Sequence, residues 1–338
     1  MPNNIRHLAV HDIRRTEQGL QIVHGNDALA VSPTTQRIVD ELDDLYNRRS
    51  SKVHGQFSPD AVNYPAAGHF SDYLAEDGSD FSALTRSLMD TLLAKARTVP
   101  NAGAGHVFFA HFEQDGRELM LIAIVTEKLG ATLTQAFVAR DVTHLDLDGF
   151  RYAGRIDLTA WQADDGRYLG FLRGKGAVAE YFKEFLGCVS PSDDKKSTRE
   201  LTAALIGFAD DQGLEGDARN DFLVRANSIL DRGSREDRRI DFQAFANELT
   251  PDDPAPLTEY LGSPALQLGD DFVPDRRLIG PLLRISYRAA NWSVDIDRRA
   301  LTRGEVGFDP ENNTLTIRNL PHALVAQLRA ETVDNGEA

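Results

Sequence analysis

The run HVFFAHFEQDGRELMLIAIVTEK, residues 106–128, restricts the fold most narrowly. Both of its arms are rich in β-branched and aromatic residues, and the Asp115-Gly116 pair between them suits a tight hairpin turn. Just before it the period is helical, with Phe81, Leu84, Leu88 and Leu92 on one stripe that Pro100 and NAGAG close. After it QAFVA, THLDL, FRYAGRIDLTAW and RYLGFLR read as further strands, separated by Asp-Gly turns at 148–149 and 165–166. The expectation is a largely antiparallel sheet with helices before and after it, an α+β fold.

The flanking sequence extends this pattern. IRHLAVHDI and LQIVHG predict an N-terminal hairpin turning at RRTEQG. Ser32 before Pro33 is an N-cap followed by a favoured first helical residue, and Ile38, Leu42 and Leu45 follow at helical spacing. Residues 54–78 mix Gly, Pro, Ser and Asn with isolated aromatics and predict a loop region with one short helix. A helix over 176–186 is expected to end at Gly187, with SPSDDKKS as a linker. RELTAALIGFADDQ, ARNDFLVRANSILDR and DFQAFANEL each carry an apolar stripe, and TPDDPAP ends this helix-rich stretch. LLRISYR, WSVDID, GEVGFD and TLTIRNL then predict strands, PENN a tight turn, and 321–330 a final helix. The division expected from this is 1–190 as an N-terminal α+β domain, 191–255 as a helical segment and 256–338 as a β-rich domain with a terminal helix.

A length of 338 residues exceeds one typical core, and 41% apolar with 26% charged content is ordinary for a folded protein. Cys188 stands alone, which excludes an internal disulfide and any Cys-based zinc cage and suits a reducing compartment. Charged residues interrupt every run in the first twenty positions, and the longest apolar run, Leu119–Val125, is far below the ~20 residues of a membrane span. A cytoplasmic protein is expected.

The net charge of −15 opposes wholesale coating of nucleic acid, so what matters is where cations gather. Two places stand out. In the first, Arg173, Gly174, Lys175 and Gly176 lie between a strand and a helix start, where free N–H groups and the helix dipole favour an anion. In the second, Arg276, Arg277, Arg284, Arg288, Arg298, Arg299 and Arg303 face only Asp295 and Asp297. Arg284 and Arg288 share a strand face, with Tyr287 and Trp292 nearby. The competing reading of both clusters is solvated turns and surface salt bridges.

Motifs for catalysis or cofactors are poor. The glycines around Lys175 fit neither the Walker spacing nor the dinucleotide fingerprint. His106 and His111 are predicted on opposite faces of one strand and so cannot share a metal. His111-Phe112-Glu113 matches part of a zinc deaminase signature whose Cys pair this chain cannot supply. No calcium-loop spacing or Gly-x-Ser-x-Gly elbow is present. No enzyme activity, cofactor or metal is expected.

At GRIDLTAW, YLGFLRGKGAVAEYFKEFLG, LTEYL, FVPDRR and FDPENNTLTIRNLP the chain resembles the bacterial nucleoid-associated proteins called YejK or NdpA, in the same order along nearly its whole length. The resemblance implies a cytoplasmic, chromosome-associated protein that binds double-stranded DNA and in some members touches a type II topoisomerase. The expected function is DNA binding through phosphate contacts without base specificity. The rival is an acidic adaptor for a DNA-handling enzyme such as that topoisomerase, and a metal-dependent nuclease stands third. A homodimer would gain avidity by bridging, though no oligomer-specific pattern is legible.

Overall fold

A computed structural model describes residues 2–25, 28–49, 52–76, 78–99, 103–147, 149, 152–164, 166–172, 177–189, 194–263 and 265–333, with backbone alone at 177–180 and 332–333. The chain divides into two compact units, Met1–Asp193 with Ile240–Phe272 and Asp194–Arg239 with Val273–Ala338. The stretch 191–255 is thus shared between the units.

In the first unit β1 (Asn4–Thr16) and β2 (Gly19–Val23) form the expected hairpin. The helix α1 (Pro33–Arg48) starts in a capping box: Ser32 Oγ accepts from the Thr35 amide at 3.2 Å and Thr35 Oγ1 from the Ser32 amide at 2.7 Å. Next come β3 (Lys52–Phe57), α2 (Ala66–Ala75) and α3 (Phe81–Ala96), the last capped by the Asp80 carboxylate. The expected long hairpin follows as β4 (Gly105–Gln114) and β5 (Arg117–Val125), with Asp115 and Gly116 at positive φ in its turn. A second hairpin, β6 (Glu127–Leu133) and β7 (Ala139–Leu145), forms a two-stranded sheet of its own. The unit continues with β8 (Tyr152–Asp157), α4 (Leu158–Gln162), β9 (Leu169–Leu172), α5 (Ala177–Leu186) and β10 (Cys188–Val189). Gly187 takes the left-handed cap conformation at φ 65°. The helices α6 (Asp194–Asp211) and α7 (Gly216–Arg235) belong to the second unit, α8 (Phe242–Leu249) and α9 (Ala255–Leu261) to the first.

The main sheet has eight strands in the order β10-β3-β9-β8-β5-β4-β1-β2, every pairing antiparallel, which bears out the α+β reading. Apolar side chains fill both of its faces. Val107, Phe109, Met120, Ile122 and Ile156 pack with Phe70, Leu88, Leu92, Phe182 and Phe185 from α2, α3 and α5. Leu8, Phe108, Phe112, Leu121 and Ala123 pack with Val39, Leu42 and Tyr46 from α1. Burial on both sides explains why Leu119–Val125 is continuously apolar instead of alternating.

Three local expectations are corrected. The loop predicted from residue 54 begins with most of β3, an interior strand. QAFVA is the tip of the β6–β7 hairpin rather than a strand: the Phe137 amide bonds Thr134 O at 2.9 Å, and Phe137 has φ 59°. The strand in FRYAGRIDLTAW stops at Asp157, whose carboxylate accepts from the Ala160 amide at 2.8 Å and caps α4. The turn residues Asp148 and Asp165, the closing segment 100–102 and linker residues 190–193 lie outside the described residues, while the rest of the predicted linker, 194–197, is corrected to the first turn of α6.

In the second unit α6 and α7 bury Leu201, Leu205, Phe208, Phe222, Leu223 and Leu230. The C-terminal part gives β11 (Arg284–Arg288), β12 (Ser293–Asp297), α10 (Arg298–Thr302), β13 (Val306–Asp309), β14 (Thr314–Ile317) and α11 (His322–Val333), close to expectation. Asp309 makes the PENN turn by accepting from the amides of Glu311 at 3.0 Å and Asn312 at 3.2 Å. No described helix is long and apolar enough to cross a membrane.

Candidate nucleic-acid interface

All seven arginines of the second cluster fall in the second unit. Arg276 and Arg277 follow Asp275 in a turn, Arg284 and Arg288 begin and end β11, Arg298 and Arg299 open α10, and Arg303 caps its end. The hairpin β11–β12 is in register from Arg284 opposite Asp297 to Arg288 opposite Ser293.

Folding spends some of this charge. Arg276 Nε lies 2.6 Å from Asp231 Oδ1, and Arg284 Nε lies 2.7 Å from Asp295 Oδ1. The Arg284 bond is the main reason that the Asp295 carboxyl sits below its ordinary range. Arg299 Nε is 3.6 Å from Asp297 Oδ1. Arg298 turns inward and donates to Pro281 O from Nη2 at 3.2 Å; burial, then Arg219, lowers its pKa. Arg277, Arg288 and Arg303 are exposed, and among the described residues no carboxylate pairs with their side chains. Exposed ion pairs contribute only ~0.2–1 kcal/mol, so a phosphate can compete for Arg276, Arg284 and Arg299 as well.

At the tip of β11–β12, next to Arg288, the rings of Tyr287 and Trp292 pack 5.7 Å apart at 41° while remaining 63% and 60% exposed. The Ala289 amide closes this tip on Trp292 O at 2.8 Å. A two-stranded ribbon carrying a free guanidinium and two solvent-facing aromatics has the dimensions to lie along a duplex groove, its guanidinium toward the phosphate backbone.

The first cluster, Arg173, Gly174, Lys175 and Gly176, lies outside the described residues. Three cations that sequence reasoning passed over, Arg117, Arg155 and Arg167, line a cavity of the first unit. They come from separate strand segments, so no spacing links them. Among the described residues no group of three or more His, Cys, Asp or Glu side chains could hold a metal. His106 and His111 have different partners: His106 lies 2.6 Å from Asp12 Oδ1, and His111 Nδ1 lies 2.7 Å from Tyr73 Oη. Cys188 is buried, and burial pushes its thiol up to about 12, which leaves it an unreactive core residue.

With this geometry in view, comparison with known proteins is informative. The family described as nucleoid-associated protein YejK matches residues 9–325. A nucleoid-associated protein of Azotobacter vinelandii is 30% identical over 334 residues, covering 96% of this chain and 98% of the relative. Proteins of the same description from Pseudomonas fluorescens and Pseudomonas syringae pv. tomato are 27% and 26% identical, each over 96% of this chain and over 98% and 99% of their own lengths.

Proposed function

The chain belongs to the YejK family of nucleoid-associated proteins, and from that premise we propose that it binds double-stranded DNA in the bacterial cytoplasm through phosphate contacts without base specificity, contributing to chromosome organisation. The observation that carries this reading is the β11–β12 tip, with unpaired Arg288 beside the exposed Tyr287–Trp292 pair. Arg277 and Arg303 extend the cationic set in the same unit, Arg276, Arg284 and Arg299 join it as their weak pairs exchange for phosphates, and Arg298, bonded to Pro281 O, belongs to it on sequence grounds. Arg173 and Lys175, with the amides of Gly174 and Gly176, belong to the proposal on sequence grounds alone. The reading needs no catalytic step, cofactor or metal.

Fluorescence anisotropy with plain duplex DNA across a salt series tests it. Phosphate contacts give log K falling linearly with log salt at a slope of roughly −0.9 per neutralised phosphate. Replacing Arg277, Arg288 and Arg303 by Ala together should flatten the slope by roughly 2.7 and weaken all sequences alike. No retention of duplex at low salt would refute direct contact.

The carboxylates on Arg276, Arg284 and Arg299, with the net charge of −15, favour a second reading. In it the chain is an acidic adaptor that reaches the nucleoid through a basic DNA-handling enzyme such as a type II topoisomerase. Duplex binding that appears only when such an enzyme is added would select it. Homodimerisation belongs to either reading. It is supported by the β6–β7 hairpin, where Leu129 and Leu133 on one face and Phe137 at the tip are 72%, 65% and 85% exposed.

A further inference from the structure

The first unit contains a cavity of about 790 Å³ over the central strands of its sheet, within the size range of small-molecule sites. Tyr46 and His54 line it on one side, and Arg117, Arg155 and Arg167 bring guanidinium groups from the start of β5, the middle of β8 and the approach to β9. Gly170 lets these two side chains pack directly onto β9: a Cβ there would lie 2.4 Å from Tyr46 Oη and 3.0 Å from His54 Nδ1.

The charge around this cavity is arranged unusually for so acidic a chain. Two of the carboxylates beside it are consumed by the protein itself. Asp43 accepts from Arg155 Nη1 at 3.0 Å through Oδ1, and from Asn47 Nδ2 at 3.1 Å and Gln114 Nε2 at 3.2 Å through Oδ2. Asp157 caps α4 with one oxygen and meets Arg117 Nη1 at 3.2 Å with the other. Arg155 uses Nη1 for both of its bonds, to Asp43 and at 2.8 Å to Asn47 Oδ1, and among the described residues nothing bonds its Nε and Nη2. Arg167 is oriented by Gln267, whose carbonyl oxygen accepts from Nη1 at 3.1 Å. Beneath the same strands the buried Lys52 ammonium donates to the carbonyls of Asn47 at 2.9 Å and Gly262 at 2.6 Å. Among the described residues that line the cavity, Arg117, Arg155 and Arg167 stand against Asp115 and Asp157, within a protein of net charge −15. His54 registers the resulting field: burial first, and then Lys52, Arg155 and Arg167, push its pKa down to about 3.

We propose that this cavity is a binding site for a small phosphorylated ligand of nucleotide size, its phosphate held by Arg155, Arg167 and Arg117. Guanidinium forks match phosphate oxygens in geometry and keep their charge at all working pH values. The neutral His54 imidazole and the Tyr46 hydroxyl supply uncharged polar contacts for the remainder of the ligand. A free nucleotide and the terminal phosphate of a DNA strand share this chemistry. The site lies in the first unit, whereas the duplex-binding arginines 276–303 lie in the second, so the two proposals fail separately.

Calorimetric titration of the full chain tests the site with pyrophosphate, AMP, ATP, adenosine, and a short duplex with either 5′-phosphate or 5′-hydroxyl ends. Saturable binding of the phosphorylated small molecules and not of adenosine is expected. A saturable heat with the 5′-phosphorylated duplex in excess of that from the 5′-hydroxyl duplex, and lost in the cavity variants, would assign the same site to a strand end. The double variant Arg117→Ala, Arg167→Gln should weaken binding at least tenfold. Ala163→Trp, at an exposed wall alanine, should block it without disturbing the core. Arg288→Ala should leave it unchanged. Absence of saturable binding for every phosphorylated probe at millimolar concentration, or unchanged affinity in both cavity variants, would overturn the proposal.

Discussion

Two buried histidines of the first unit make its stability sensitive to mild acid. His54 and His111 are 7% and 5% exposed, and their pKa values are lowered to about 3 and about 4. Burial is the first cause for both. Lys52, Arg155 and Arg167 add to it at His54, and His7 and Arg6 at His111. Tyr73 Oη holds His111 Nδ1 at 2.7 Å, while Glu118 Oε2 stands 2.9 Å from Nε2 without hydrogen-bond alignment. An unfolded histidine titrates at 6.5, above both folded values, so the unfolded chain binds more protons below that pH and stability falls as acid is added. At 1.36 kcal/mol per pH unit, each residue removes about 2 kcal/mol between pH 6.5 and pH 5, and the pair about 4 kcal/mol. Lys52, lowered to about 7 chiefly by burial, acts in a different window: its shift makes stability rise as pH climbs from 7 toward the unfolded lysine value. His106 works in the opposite sense. Burial alone would lower its pKa, but bonds to Asp12 and Glu127 raise it, so it adds stability below the unfolded value. Trp161 packs 5.0 Å from Phe57 inside the first unit, and Trp292 is the other tryptophan of the chain. Urea unfolding of the Trp292→Phe protein, followed by tryptophan fluorescence at pH 7 and pH 5, therefore isolates this unit. The double variant His54→Gln, His111→Gln starts from lower stability but should lose about 4 kcal/mol less between the two pH values. An equal pH dependence with and without the two imidazoles would refute the reasoning.

Other outcomes follow from single contacts. Phe109 is fully buried in the sheet, and Phe109→Ala should cost about 3–5 kcal/mol in the same urea assay. Ser32→Ala removes the side-chain half of the α1 capping box and should cost about 1 kcal/mol, with the circular dichroism spectrum at low urea unchanged. Placing Glu at both Leu129 and Leu133 charges the exposed face of β6–β7. Sedimentation should show a lower association state, with the urea midpoint unchanged within error.

The elements that were legible in the sequence are those whose local signals agree with their burial. Ser32 with Pro33 marked α1, Asp115 with Gly116 marked the β4–β5 turn, and Gly187 ended α5 as expected. The strand β3 was lost because two of its buried positions, Lys52 and His54, are polar. Lys52 belongs there only because Asn47, Arg49 and Gly262 turn carbonyl oxygens toward it, and Gly262 is 210 residues away. QAFVA misled in the other direction. Its apolar residues read as strand, yet Phe137 and Val138 face solvent at a hairpin tip, and periodicity carries no information about which apolar residues remain uncovered.

The arginines show the same limit with more consequence for function. Counting charges between residues 276 and 303 treats every guanidinium as available, but availability is a tertiary property. Asp231, on α7, takes Arg276 across 45 positions of sequence, and Asp295 reaches Arg284 only because β11 and β12 pair in one register. The cavity of the first unit inverts the case. Arg117, Arg155 and Arg167 are scattered in a strongly acidic chain and formed no visible cluster, yet three strand segments aim them at one volume. The carboxylates Asp43 and Asp157 each engage one Nη1 of Arg155 and Arg117 and are shared with Asn47, Gln114 and the α4 amide, which leaves the other guanidinium nitrogens of Arg155 toward the cavity. Pairing by tertiary contacts, rather than net charge, therefore decides where this acidic protein can accept an anion.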